Sequence, residues 1–182
     1  LALNDNYSGC TVLIYDENGD YHSTTQVAEH DKSRMLLTPE RMPDIHEGVE
    51  IRLFILSHPM PCEYKGRIVR IGSRREIALF SGMETEHRQA VRHKVDMTAQ
   101  IEGITKNGVV VQQGTPIDVH ILNISLTGLR MQAAPNNLEQ DSEFHLRLRI
   151  GDNDQIITAQ VLNIRQAEDG HEEYGCRIIS VD

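Results

Sequence analysis

The stretch Ile117-Asp118-Val119-His120-Ile121-Leu122-Asn123-Ile124-Ser125-Leu126-Thr127-Gly128 decides how this chain is read. A short apolar run, Ile117–Ile124, ends at Ser125–Gly128, which fits a turn with glycine at its last position. Asn123 and Ser125 alternate, so on a strand their side chains point to one face. Val119, Ile121, Leu122 and Ile124 make both faces apolar, and parity leaves open which face is inward. The same rhythm of short runs and turns recurs outward in both directions. Strands are expected at Cys10–Tyr15, Tyr21–Ala28, Arg34–Leu37, Val49–Leu56, Tyr64–Ile71 and Glu76–Phe80. They resume at Val95–Ile101, Val109–Gln113, Ile117–Ile124, Leu129–Ala133, Glu143–Ile150, Ile156–Arg165 and Tyr174–Val181. Asn18-Gly19 and Asn107-Gly108 predict hairpins of type I′, which need positive φ at both central residues. Gly48 and Gly72 mark further reversals. With many short strands and no long amphipathic helix, the expected fold is all-β, two small β-barrels in tandem.

The segment Ser81–His93 is polar and mixed in charge, and predicts a linker between two domains, 1–84 and 85–182. The 182 residues suffice for two small domains. Apolar residues make up 39% and charged residues 25%, which fits a globular chain. A net charge of -9 disfavours generic DNA, RNA or anionic-membrane binding, so any anion site must be a local concentration of arginine. No apolar run approaches the ~20 residues of a membrane helix, so no membrane insertion is expected. Cys10, Cys62 and Cys176 are scattered and odd in number, which predicts reduced thiols and a cytoplasmic setting. The polar start lacks a signal peptide, and the absence of an initial Met suggests a fragment or processed chain.

Arg88 and Arg92, in Arg88-Gln89-Ala90-Val91-Arg92, are spaced to share a side on either a helix or a strand. A guanidinium fork binds phosphate bidentately, reads the O6/N7 edge of guanine and stacks on a base. The bland alternative is solvated charge, since the chain has 14 arginines and Arg70/Arg74 repeat the spacing. The alternative for Asn123 and Ser125 is a turn that satisfies its own backbone groups. Other polar groups suggest no chemistry. The nine histidines lack metal-ligand spacing. Asp152–Asp154 predicts a hairpin turn without the remaining ligands of a calcium loop. Glu168–Glu173 predicts a solvated acidic loop between strands. Arg67–Arg75 predicts a solvated strand edge and turn, or a protein-docking face. No phosphate-cradling loop, nucleophile elbow or activated cysteine is present, so neither catalytic residues nor a metal site are expected, and the protein is not expected to be an enzyme.

Taken together, Arg88/Arg92 and Asn123/Ser125/Gly128 resemble the PilZ domain, a bacterial receptor module for cyclic di-GMP. That family carries R-x-x-x-R before its first barrel strand and D/N-x-S-x-x-G on a following strand. The resemblance covers Thr85–Asp182, with Glu173-Tyr174-Gly175-Cys176-Arg177-Ile178 as the last barrel strand. The first half is similar to the N-terminal split barrel of the YcgR-type flagellar-brake proteins. The resemblance implies a ligand, cyclic di-GMP, and no other cofactor. Arg88 and Arg92 would hold its phosphates and the Hoogsteen edge of its guanine. Asn123 and Ser125 would hydrogen-bond the guanine from the barrel surface, and Gly128 would supply the turn and room for close approach. His87 stands where many members have a further arginine. It is a further candidate contact, it bears on whether one or two nucleotides bind, and its alternative is a solvated linker histidine. Ligand binding would order the arginine segment and re-aim the two barrels. The implied partner is a protein of the flagellar motor or polysaccharide synthesis machinery, and the implied output is motility, biofilm or polysaccharide. The family's C-terminal helix has no counterpart after the last strand. A nucleotide-independent adaptor in motility or pilus assembly is the alternative, although such members typically lack these motif residues. A single-stranded RNA-binding barrel is opposed by three Phe, no Trp and the acidic charge.

Overall fold

In a computed structural model, residues 7–30, 34–38, 46–72, 77–84, 91–150 and 153–182 are described; for residue 70 and for 77–84 only the backbone is. Every regular element among them is a strand. They are β1 (Thr11–Tyr15), β2 (Tyr21–His30), β3 (Arg34–Leu37), β4 (Glu50–Ile55), β5 (Cys62–Ile71), β6 (Ile77–Glu84), β7 (His93–Lys106), β8 (Val109–Ile124), β9 (Gly128–Ala133), β10 (Glu143–Ile150), β11 (Asn153–Gln166) and β12 (Glu172–Val181). The chain forms two compact units, the first built on β1–β6 and the second on β7–β12.

The first unit is a closed ring in the order β1-β2-β3-β6-β5-β4, with β4 returning to pair with β1. The second is a closed ring in the order β10-β11-β12-β9-β8-β7, with β10 pairing back to β7. The two orders are the same scheme. In each, two three-strand meanders join along two seams, one between the third and sixth strands and one between the first and fourth. Closure leaves each sheet one inner face, and alternation decides which side chains fill it. In β10, Phe144, Leu146 and Leu148 are fully buried while the residues between them face outward. In the first ring the interior is Val12, Ile14, Leu37, Ile51, Leu53 and Ile55, all at most 1% exposed. Each such side chain contributes about 1.5–3 kcal/mol of burial.

Four expectations need correction. Val109–Gln113 and Ile117–Ile124 are one strand, β8. Residues 113–116 lie opposite Glu102, where the register with β7 jumps. The pairing of β9 with β8 begins only at Val119, so Pro116 removes no ladder hydrogen bond there. The proposed linker is shorter than Ser81–His93, because β6 runs through Glu84 and β7 begins at His93. Glu84 pairs with Tyr64 and Met83 with Lys65, and ladder pairing uses backbone groups that polar residues also possess. Asn18-Gly19 forms a hairpin, but only Gly19 has positive φ. The Gly19 N–H donates to Asp16 O at 3.1 Å and the Asp16 N–H to Asp20 O at 2.9 Å, a type I turn followed by a glycine bulge. Asn107-Gly108 does have positive φ at both residues, as expected. Finally, Glu172 and Glu173 belong to β12 rather than to a solvated loop, and Glu172 is buried. Asp152 of the expected Asp152–Asp154 turn lies outside the described residues, as do Arg74 and Arg75 of the arginine-rich stretch and the side chain of Arg70. Arg67 pairs with Glu50.

Candidate functional site

β8 meets its turn with a change of parity. A bulge between Ile121 and Asn123 in the pairing with β9 puts Ile121 and Ile124 both inside. Asn123 is thereby turned to the outer wall of the barrel, which sequence alternation alone could not decide. Ser125 follows, 5% exposed. Its N–H donates to Gly128 O at 2.8 Å, and its Oγ accepts the N–H of Gly128 at 3.1 Å and of Thr127 at 3.4 Å. The Ser125 hydroxyl therefore closes its own turn.

Gly128 opens β9 directly against β12. A Cβ at this position would lie 2.6 Å from the carbonyl oxygen of Cys176, so only glycine lets the two backbones approach this closely. The room at Gly128 thus serves packing along the β9/β12 seam.

Four strands carry one rung across the outer wall. Asn123 of β8 is in register with Arg130 of β9, Arg130 with Gly175 of β12, and Gly175 with Asn163 of β11. Gly175 contributes no side chain to this rung, and there the wall sinks into a pocket of about 340 Å³. Arg92, Asn123, Ser125 and Gly128 all line it, with Arg130, Asn163 and Arg177 on the same wall. Among the described residues, three arginines and no carboxylate line the pocket, on a chain whose net charge is -9. The expected residues Arg92, Asn123, Ser125 and Gly128 are thus brought together. Arg88 and His87 lie outside the described residues.

Arg130, Asn163, Gly175 and Arg177 were not anticipated. For three of them the signal was present: Arg130, Gly175 and Arg177 face outward on alternating strands, and a glycine inside a strand marks a depression or a close approach, whereas Asn163 is turned outward by a bulge after Val161. Arg130 is half-buried and its Nη1 lies 3.4 Å from Glu173 Oε2. Arg165 pairs with the same carboxylate oxygen. The Arg177 Nη2 donates to Gln160 Oε1 at 2.7 Å. Asn163 covers Gly175, its amide lying 2.6–3.0 Å from where a Cβ would be. Burial pushes the Cys176 thiol up to about 12, which makes it an apolar floor rather than a nucleophile. The pocket therefore offers guanidinium and amide donors along a depression in the wall, suited to an anion with a planar, acceptor-rich face.

Elsewhere, no group of three or more His, Cys, Asp or Glu among the described residues could hold a metal ion. No helix among them is long and apolar enough to cross a membrane. None of the three cysteines is in a disulfide.

No curated protein matches the chain significantly. Among solved structures, the inhibitor of motility MotI/DgrA of Bacillus subtilis is similar at 17% identity, covering 96% of this chain and 90% of that one, with a TM-score of 0.40. MrkH of K. pneumonia in complex with c-di-GMP matches at 17% identity, 93% and 78% coverage and a TM-score of 0.39. YcgR of Escherichia coli in complex with c-di-GMP matches at 11% identity, 94% and 76% coverage and a TM-score of 0.38. The PilZ domain model matches residues 86–182, the second barrel and more than half of the chain. The chain belongs to the PilZ domain family.

Proposed function

We propose that this protein is a cyclic di-GMP receptor, with its site on the outer wall of the second barrel. The observation that carries this function is the pocket itself, which joins Arg92, Asn123, Ser125 and Gly128 and is lined, among the described residues, by three arginines and no carboxylate. Arg88 and Arg92 hold the phosphates and a guanine edge from the connection before β7. Asn123 presents its amide to the base, and Ser125 and Gly128 shape the turn beneath it. His87 is the further contact from the arginine segment. Family membership supports the assignment.

Taking the domains as 1–84 and 85–182, the residues that close on the ligand are those that join the barrels. Binding then changes the path between them, and the shift is limited by the ligand's differential affinity for the two arrangements. The output is regulation of motility, biofilm or polysaccharide through a protein partner in the cytoplasm, without catalysis.

Calorimetric titration with cyclic di-GMP tests this, with cyclic di-AMP and GTP as controls and an Arg88→Ala/Arg92→Ala variant alongside. Selective binding that the variant loses supports the receptor, and the molar ratio gives the number of nucleotides. An absence of heat and of any thermal shift at high ligand concentration refutes it and leaves a nucleotide-independent adaptor in motility or pilus assembly.

A further inference from the structure

We propose that Arg130 is a third arginine of the ligand site, reading the O6/N7 edge of a guanine, and that Glu173 is the positioning residue that aims it. This assignment rests on the cyclic di-GMP receptor function above and names a specificity determinant within that site.

Arg130 occupies the middle of the rung, between Asn123 on β8 and Gly175 on β12. Its neighbour on β12 is a glycine, so no side chain from that register position stands between the guanidinium and the pocket. The guanidinium is also held in place. Its Nη1 meets the Glu173 carboxylate, whose side chain is only 17% exposed and whose same oxygen also pairs with Arg165. Glu173 lies two residues before Gly175 on the same outward face of β12, so it reaches Arg130 diagonally from outside the pocket. One edge of the fork is committed to Glu173, and the remaining N–H groups stay available.

Charge compensation decides what such an arginine does best. A guanidinium already paired with a carboxylate is a weak counter-ion for a phosphate, but its N–H groups keep their direction. Directed donors suit a pair of acceptors on a plane, and guanine presents O6 and N7 in that way. Adenine places an amino donor where guanine has O6, so donor would face donor. The amide of Asn123, alongside in the same rung, can both donate and accept.

The test is calorimetric titration of the full chain with cyclic di-GMP and with its 7-deazaguanine analogue, which lacks the N7 acceptor. Four proteins are compared: wild type, Arg130→Ala, Arg130→Lys and Glu173→Gln. Wild type should bind the analogue roughly tenfold more weakly, the scale of one bidentate base contact. Arg130→Ala should weaken cyclic di-GMP binding by a similar factor and show a much smaller penalty for the analogue. Arg130→Lys retains the charge and the aliphatic stem but not the fork, and should behave like Arg130→Ala. Glu173→Gln should reduce the analogue penalty, which a merely structural role would not do. If Arg130→Ala binds cyclic di-GMP within about twofold of wild type, or carries the full analogue penalty, the assignment is wrong while the receptor stands. If wild type binds neither nucleotide, the assignment and the receptor function fall together.

Discussion

Replacing Gly128 by alanine puts a methyl carbon 2.6 Å from the carbonyl oxygen of Cys176. A tolerable carbon–oxygen approach is about 3.3 Å or more, so β9 and β12 must part by roughly 0.7 Å at that rung. The obstacle is backbone, and no rotamer change relieves it. Overpacking of this kind costs about 1–3 kcal/mol. The stiffer unfolded chain of the alanine variant offsets about 0.4–1 kcal/mol of that. A net loss of about 1–2 kcal/mol follows, which lowers the melting temperature of a ~100-residue domain by roughly 5–15 °C. Scanning calorimetry should locate the loss in the transition of the second barrel. Gly114 supplies an internal control: it lies in the preceding strand, β8, and a Cβ there meets nothing within 4 Å. Gly114→Ala should melt at or slightly above wild type. If Gly128→Ala melts with wild type, or Gly114→Ala falls as far, close approach of the backbones is not the reason for glycine at this turn.

Three further outcomes are expected. In Gly175→Ala the nearest atoms to the new methyl belong to the end of the Asn163 side chain, 2.6–3.0 Å away, which can swing aside. Titration should therefore show weakened nucleotide binding with a melting temperature close to wild type, the reverse emphasis of Gly128→Ala. Ser125→Ala removes a buried hydroxyl that accepts the Gly128 N–H at 3.1 Å, and should cost about 1–2 kcal/mol in denaturant melts. Glu172 accepts the Asn136 N–H and the Tyr174 hydroxyl, each at 3.0 Å. The Asn136 N–H first, then the Tyr174 hydroxyl, hold its carboxyl below the ordinary value of 4.5. Its contribution is therefore complete above about pH 4.5 and is lost as acidification passes through the lowered folded value. Glu172→Gln should flatten the acid limb of the stability–pH curve. An unchanged acid limb would show that these hydrogen bonds do not govern it.

Much of the fold could be read in the sequence because alternation and turn residues are local. Arg34–Leu37 and Glu143–Ile150 are strands with the bounds their patterns predict. Errors arose where pairing partners decide. Gly114-Thr115-Pro116 looks like a turn, yet β8 runs through it. Ser81–Glu84 looks like linker, yet the β5 backbone pairs with it. Glu172 looks solvated until Asn136, 36 residues away, donates to it. The candidate site divides in the same manner. Asn123, Ser125 and Gly128 share a local motif and were legible. Arg130, Asn163 and Gly175 sit on three strands and become neighbours only through register. Arg88 and His87 lie outside the described residues.

The seam between β9 and β12 also bears on the order of folding. β8 and β9 are joined by a short turn, and β11 and β12 by another, so each hairpin can form early and locally. Leu129 and Cys176 pair across nearly fifty residues, and that contact must await closure of a long loop. The pocket straddles this late junction, with Asn123 and Arg130 on one hairpin and Asn163 and Gly175 on the other. A half-assembled barrel would therefore present half a pocket. A ligand bound across the junction would hold the hairpins together and slow amide exchange at Leu129 and Arg177 before it slowed exchange elsewhere in the ring. The competence to sense a nucleotide would then coincide with the last contact that completes the barrel.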